Sequence, residues 1–205
     1  MRIFILCDLE GTAGVVDFQT QTYDNTRYNE QAKTLATLEI NALIDGALEC
    51  GATDVVVLDG HGSGGINIEH IHCEARVLFG RPLTSAWELG IDFDAQFLYG
   101  HHAMGNTPKG VLCHSWSSRN ISNCWLNDDL IGEIGFNIAR AGEAGAPTVF
   151  ISGDRAAVEE ARHYVPNIEG IIVKEGLSRT GALTLSPAKA RDLIREGAQR
   201  AMGRI

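Results

Sequence analysis

The 205-residue chain lacks any apolar run approaching the ~18 residues that a membrane-spanning helix needs. No membrane span is therefore expected. It is also poor in basic residues: 17 Lys and Arg stand against 26 Asp and Glu, a formal net charge of −9. That average field repels phosphate backbones and anionic membrane surfaces, which excludes nucleic acid as an expected partner. The 5 cysteines, Cys7, Cys50, Cys73, Cys113 and Cys124, are odd in number and form no C-x-x-C pair. They read as buried thiols of a reducing compartment. The first apolar stretch, Ile3 to Cys7, is too short for a signal peptide and ends at Asp8. The expected location is the cytoplasm. Proline is scarce, at 5 residues, and there is no low-complexity tract, internal repeat or linker. With 44% hydrophobic and 21% charged residues, the chain is neither disordered nor fibrous and reads as one domain over residues 1–205.

Short β-branched runs alternate with segments of helical period, which predicts an α/β three-layer sandwich on a mainly parallel open sheet. Arg2–Cys7, Val55–Leu58, Phe97–Tyr99, Val111–Cys113, Thr148–Ile151 and Ile171–Val173 are the expected strands. From Tyr28 to Cys50 the residues Ala36, Ile40, Leu43 and Ala47 form one helical stripe, stopped by Gly51. Leu130, Ile134, Ile138 and Ala141 mark a second core helix, and Ser186-Pro187 opens the last as N-cap and first-turn proline.

Ligands of open α/β sheets bind beyond the carboxyl ends of the strands, so the residues there carry most information. Asp8 and Glu10 follow the first strand, Asp59 and His61 the second, His101 and His102 the third, and His114 ends the expected fourth. Two carboxylates two positions apart in extended chain share a side, and their repulsion is relieved by a cation between them. His61 stands in a loop of four glycines, Gly60, Gly62, Gly64 and Gly65, with Asp59 placed to orient its ring. Adjacent residues point oppositely, so only one of His101 and His102 is expected in a given site. Glu133, among apolar residues of a packed helix, needs a partner. Each feature alone has an ordinary structural explanation, namely a cap, a flexible loop or a hydrogen-bonded core histidine. One shared metal site at the C-terminal ends of the strands explains them together, and carboxylates with neutral imidazoles suit zinc. Ser115 has no G-x-S-x-G elbow around it, and the glycine loop lacks the Lys-Ser/Thr of a P-loop.

These motifs, in this order, resemble the D-aminopeptidase family of binuclear zinc peptidases. Asp8-Leu9-Glu10-Gly11, Asp59-Gly60-His61-Gly62, Gly100-His101-His102-Ala103, Val111-Leu112-Cys113-His114-Ser115 and Gly132-Glu133-Ile134-Gly135 carry the match. Ser152-Gly153-Asp154, Val173-Lys174, Leu177-Ser178-Arg179 and Leu185–Ala190 extend it over nearly the whole chain. The resemblance implies two zinc ions per chain held by Asp8, Glu10, His61, His102 and Glu133, with His114 as the catalytic residue, acting as acid/base, the favoured role, or as nucleophile. It also implies release of an N-terminal D-residue, typically D-Ala, from small D-amino-acid-containing peptides, and a ring-like homo-oligomer. Against longer family members, the chain is expected to lack a C-terminal extension.

Two other readings compete. Phe4 to Thr12 imitates the strand and D-x-D-G-T opening of haloacid-dehalogenase-like phosphatases, making Asp8 a nucleophile beside Mg²⁺, with Ser152 and Lys174 as phosphate binders. The non-enzymatic reading is a metal-stabilised peptide-binding protein.

Overall fold

The computed structural model describes residues 1–82 and 86–205. A seven-stranded sheet has the order β3-β2-β1-β4-β7-β8-β9. Its members are β1 (Arg2–Cys7), β2 (Asp54–Asp59), β3 (Ala75–Leu78), β4 (Ala95–His101), β7 (Thr148–Asp154), β8 (Glu169–Ser178) and β9 (Gly181–Thr184). All neighbours pair in parallel except β8 with β9. A separate two-residue hairpin joins β5 (Trp125–Leu126) to β6 (Asp129–Leu130).

Central strands of a parallel sheet are covered on both faces, so both side-chain sets of β1 are apolar. Ile3, Ile5 and Cys7 pack into the larger core, with α1 (Asn29–Glu49) and α4 (Pro187–Met202). Phe4 points the other way, into a cluster with Val56, Leu58, Ala86 and Phe93. Further along that second face, Leu98 and Ile151 meet α2 (Glu133–Glu143) and α3 (Arg155–Tyr164) through Ile134, Val158 and Ala161. The expected three-layer α/β sandwich is thus the observed one.

Strand order sets the position of the site. The chain runs outward from β1 through β2 to β3, then returns to the centre and runs outward again through β4, β7 and β8. The order reverses between β1 and β4, and at such a switch point the connections leave in opposite directions and open a crevice at the carboxyl ends. Asp8 follows β1 directly, and His102 follows β4 directly.

The long helix begins and ends within one residue of where the periodicity placed it, and the last helix opens at the expected Ser186-Pro187. Ser186 caps α4 by accepting from the Lys189 amide, with Pro187 in the first turn. Three local expectations are corrected. Val111–Cys113 is a buried turn, not a strand, with Leu112 at φ +53°. Its apolar character comes from burial beneath the site, which periodicity cannot distinguish from strand burial. Leu130 lies in β6 and is exposed, so the second helical stripe begins at Ile134. Of the cysteines, Cys7 and Cys113 are buried but Cys50 and Cys73 are exposed; all five are free thiols.

Candidate metal centre

Asp8 extends the central ladder by one step: its amide donates to the Tyr99 carbonyl at 2.8 Å, and the Gly11 amide donates to the Gly100 carbonyl at 2.6 Å. The approach is close enough that a side chain at either glycine would overlap neighbouring backbone. A Cβ at Gly11 would strike Gly100 and the His101 carbonyl, and one at Gly100, which sits at φ +67°, would strike the Asp8 carbonyl. After Asp8 the chain bends and turns, so the carboxylates of Asp8 and Glu10 converge through a turn instead of extended alternation.

Two groups of potential ligands meet there. Asp8, Glu10 and His61 form one; His102, His114 and Glu133 form the other. Asp8 joins them. Its Oδ1 lies 3.0 Å from His61 Nδ1, and its Oδ2 lies 3.2 Å from His102 Nε2. Glu10 Oε2 is 3.0 Å from the same His61 nitrogen, and Glu133 Oε1 is 3.5 Å from His102 Nε2 and 3.9 Å from His114 Nε2. Glu133 is the first residue of α2, and its Oε1 accepts from the Trp116 amide at 2.7 Å.

The other ring nitrogen of each histidine faces a backbone carbonyl: His61 Nε2 lies 2.9 Å from Thr22 O, His102 Nδ1 2.9 Å from Ala103 O, and His114 Nδ1 2.9 Å from Leu112 O. A carbonyl can only accept, so each contact places a proton on the outer nitrogen; in a neutral ring the inner nitrogen is then the lone pair open to a metal, and in a charged ring it donates, as His61 Nδ1 does to Asp8 Oδ1 at 3.0 Å. His102 and His114 stack at 3.9 Å, and Phe18 meets His114 edge-on at 5.6 Å.

The acids and rings are crowded without being fully paired. Glu10 Oε2 and His102 Nε2 are buried and make no aligned hydrogen bond, despite partners near 3 Å. Carboxylate oxygens and ring nitrogens that converge without aligned hydrogen bonds fit a shared cation between them. In the metal-free chain, burial raises the Asp8 carboxyl, but hydrogen bonds and charge from His102 and His61 outweigh it and hold it well below its usual range. Burial opposes charge on His61 and His102 as well; Glu10 with Asp8, and Glu133 with Asp8, reverse this and raise both well above 6.5. Glu133 is pushed up, chiefly by burial. His114 goes the other way, down to about 4, through burial and then the His102 charge.

Each sequence-predicted site residue therefore lies at this crevice: Asp8, Glu10, His61, His102, Glu133 and His114. His101 does not join either ligand group; it is buried, and burial pushes it down to about 4. Asp59 does not orient His61. Its Oδ1 accepts from the Gly65 amide at 2.8 Å and so closes the glycine loop. Ser115 is buried and accepts from the Gly105 amide, which makes it structural.

Sequence reasoning missed the supports beneath the site. Lys174 is fully buried, and its ammonium donates to the carbonyls of Glu10, Thr12 and Val15 at 2.5, 2.9 and 2.5 Å. Burial lowers it to about 8. All three protons are engaged, so Lys174 is not free to bind phosphate as the phosphatase reading required; Ser152 is buried, and its Oγ accepts from the Gly100 amide. Glu39 accepts from Ala13 N and Tyr99 OH, and Asp154 accepts from Val111 N while capping α3. The available signal was a charge inside an apolar strand, Val173-Lys174, and an acid inside a helical stripe, Glu39-Ile40.

The crevice opens into a cavity of about 470 Å³ whose walls include Glu10, His61, His114, Glu133, Tyr23 and Arg119. That is room for a small ligand.

Comparison with known proteins gives one consistent result. The D-aminopeptidase family pattern matches residues 1–205. The D-aminopeptidase of Bacillus subtilis (strain 168) is 33% identical over 199 residues, covering 96% of this chain and 72% of that protein. A solved structure, described as the Zn-dependent D-aminopeptidase DppA from Bacillus subtilis, a self-compartmentalizing protease, aligns with a TM-score of 0.92 and 31% identity. The match covers 100% of this chain and 74% of that one.

Proposed function

The chain belongs to the D-aminopeptidase family, and from that premise we propose that it is a zinc-dependent aminopeptidase releasing N-terminal D-residues from short peptides. The observation that carries the reading is the position of Asp8, one carboxylate shared between two buried ligand groups. Its Oδ1 faces His61 and its Oδ2 faces His102, so Asp8 would contribute to both groups if each held a metal.

In this proposal Asp8, Glu10, His61, His102 and Glu133 hold two zinc ions. Zinc held by these residues would supply Lewis acidity toward the scissile carbonyl and toward water. The chain's own residues supply the rest. The contact with Leu112 O assigns the His114 proton to Nδ1, which leaves Nε2 as a lone pair facing the ligand groups. In this proposal the neutral ring, with its proton held at Nδ1, takes a proton from the attacking water at Nε2 and returns it to the leaving amine. Phe18 and His102 pack against this ring and fix its plane. Lys174 holds the backbone of the Asp8–Glu10 turn, and the Trp116 amide holds Glu133.

The same reading takes residues 1–205 as one catalytic domain working in a ring-like homo-oligomer in the cytoplasm. The self-compartmentalizing description of the solved relative supports assembly, as do exposed Trp116, Trp125, Leu126 and Leu130. Among the described residues no helix is long and apolar enough to cross a membrane.

The test is stereochemical. Protein carrying two zinc equivalents by elemental analysis is expected to release D-Ala from D-Ala-D-Ala and to leave L-Ala-L-Ala nearly untouched. Stoichiometric zinc with no cleavage supports the binding-protein reading, and preference for the L-peptide overturns D-specificity.

A further inference from the structure

The ligand groups account for one wall of the cavity; the wall opposite in charge is a single cation. Among the described residues, Arg119 is the only Lys or Arg lining it, beside Asp8, Glu10, Asp24 and Glu133. Among the described residues its guanidinium has no carboxylate partner within 4.0 Å, although most other arginines of the chain are paired. It is held by stacking instead. Its Cζ lies 4.3 Å from the centre of the Tyr23 ring. Tyr23 is fixed in turn by a 3.0 Å hydrogen bond with Ser118 Oγ and by stacking on Phe18 at 5.9 Å. Phe18 is the ring that meets His114. A continuous series of rings, His102, His114, Phe18 and Tyr23, therefore links the ligand groups to this arginine.

A guanidinium seated over an aromatic face, with no ion-pair partner among the described residues, is suited to bidentate binding of a carboxylate. Resting on the aminopeptidase reading, we propose that Arg119 receives the C-terminal carboxylate of the peptide and so restricts the enzyme to short peptides with a free carboxyl end. The arrangement has a length limit. An extended chain gains at most about 3.6 Å per residue, so an arginine in the same small cavity as the ligand groups selects peptides of a few residues. Arg179 is the natural rival. It lies over Phe18 at 5.2 Å, but it lines a separate cavity of about 250 Å³ on another side of His114, which contains no Asp or Glu.

The experiment compares kcat/KM for D-alanyl-D-alanine and D-alanyl-D-alaninamide, using zinc-loaded native protein, Arg119→Gln, Arg119→Lys and Arg179→Gln. The native enzyme is expected to prefer the free acid by about tenfold or more, a modest factor because Arg119 is solvent-exposed. In Arg119→Gln this preference falls to near unity, mainly through KM; Arg119→Lys retains part of it, and Arg179→Gln retains all of it. An unchanged preference in Arg119→Gln overturns the proposal, as does its loss in Arg179→Gln. If the native protein cleaves neither compound, the aminopeptidase reading has failed, and calorimetric titration of D-alanyl-D-alanine decides the subsite. Binding that Arg119→Gln abolishes supports it, and binding that is absent or unaffected overturns it.

Discussion

Glu39 shows how much of this site rests on groups that never reach the cavity. Its carboxyl is fully buried in α1, and burial raises it from 4.5 to about 7, against the lowering effect of Tyr99 OH and Ala13 N. The unfolded chain releases this proton near its ordinary pKa, whereas the folded chain keeps it until about 7. Between those values the folded state binds more protons, so stability falls as pH rises. Glu39→Gln removes the titration and keeps the packing. Its amide oxygen still accepts from Ala13 N, and its NH₂ can donate to Tyr99, whose own proton turns to Thr12 at 3.0 Å. The expected result is that the variant gains on the native protein by up to about 3 kcal/mol between pH 5 and pH 8, measured by urea unfolding at both. The comparison cancels the titrations that both proteins share, so parallel pH profiles would remove Glu39 from this role.

At the scale of elements, the turn after β1 is held chiefly by a strand far from it in sequence. Lys174 in β8 reaches the carbonyls of Glu10, Thr12 and Val15, matching three protons to three acceptors. Lys174→Met leaves those buried carbonyls without partners, at about 1–3 kcal/mol each where water cannot replace the lysine. It also frees the turn that carries Asp8 and Glu10, so zinc affinity is expected to fall about 10- to 100-fold in a competitive chelator titration. A core truncation in α4, Ile194→Ala, lowers stability through a cavity but touches none of these groups, and zinc affinity should survive it. Equal zinc affinity in Lys174→Met and the native protein would reduce the lysine to a general stabiliser. This support also marks the limit of what could be read in sequence. The strand ends at Asp8, His61 and His102 were legible because apolar runs stop there and polar residues follow. The Val111–Cys113 turn was misread because burial makes turn and strand alike in composition. Helix α3 starts at its cap, Asp154, which is also the last residue of β7, so no loop announces it. Lys174 was visible as a charge in an apolar strand, but its acceptors lie about 160 residues earlier, and only the folded sheet brings them together.

At the scale of the whole molecule, the site joins parts of the chain that the sheet alone holds side by side. Its five proposed metal ligands come from the turn after β1, the loop after β2, the residue after β4 and the first residue of α2. Metal bound to all of them favours the folded state, because the unfolded chain cannot assemble the set. At free zinc about 100 times the dissociation constant, one site adds about 2.7 kcal/mol, or about 5–11 °C in Tm for a chain of this size. Chelation should remove that increment, and it should also expose a pH dependence. Without metal, charged His61 and His102 are held by Asp8, Glu10 and Glu133, with folded pKa values raised well above 6.5. Their stabilising contribution is complete below 6.5 and is lost as pH rises through the raised values. Asp8, held low, acts at the acid end, losing its contribution only as pH falls below its usual range. The chelated protein should therefore lose more Tm from neutral toward alkaline pH than the zinc-loaded protein, which shares every other titration, Glu39 included, but whose ligated imidazoles carry no titrating proton there. Scanning calorimetry of both forms at pH 6.5 and pH 9 reads the difference directly. A chelated protein with the same Tm and the same pH profile as the zinc-loaded one would mean that these residues do not hold metal in the folded chain.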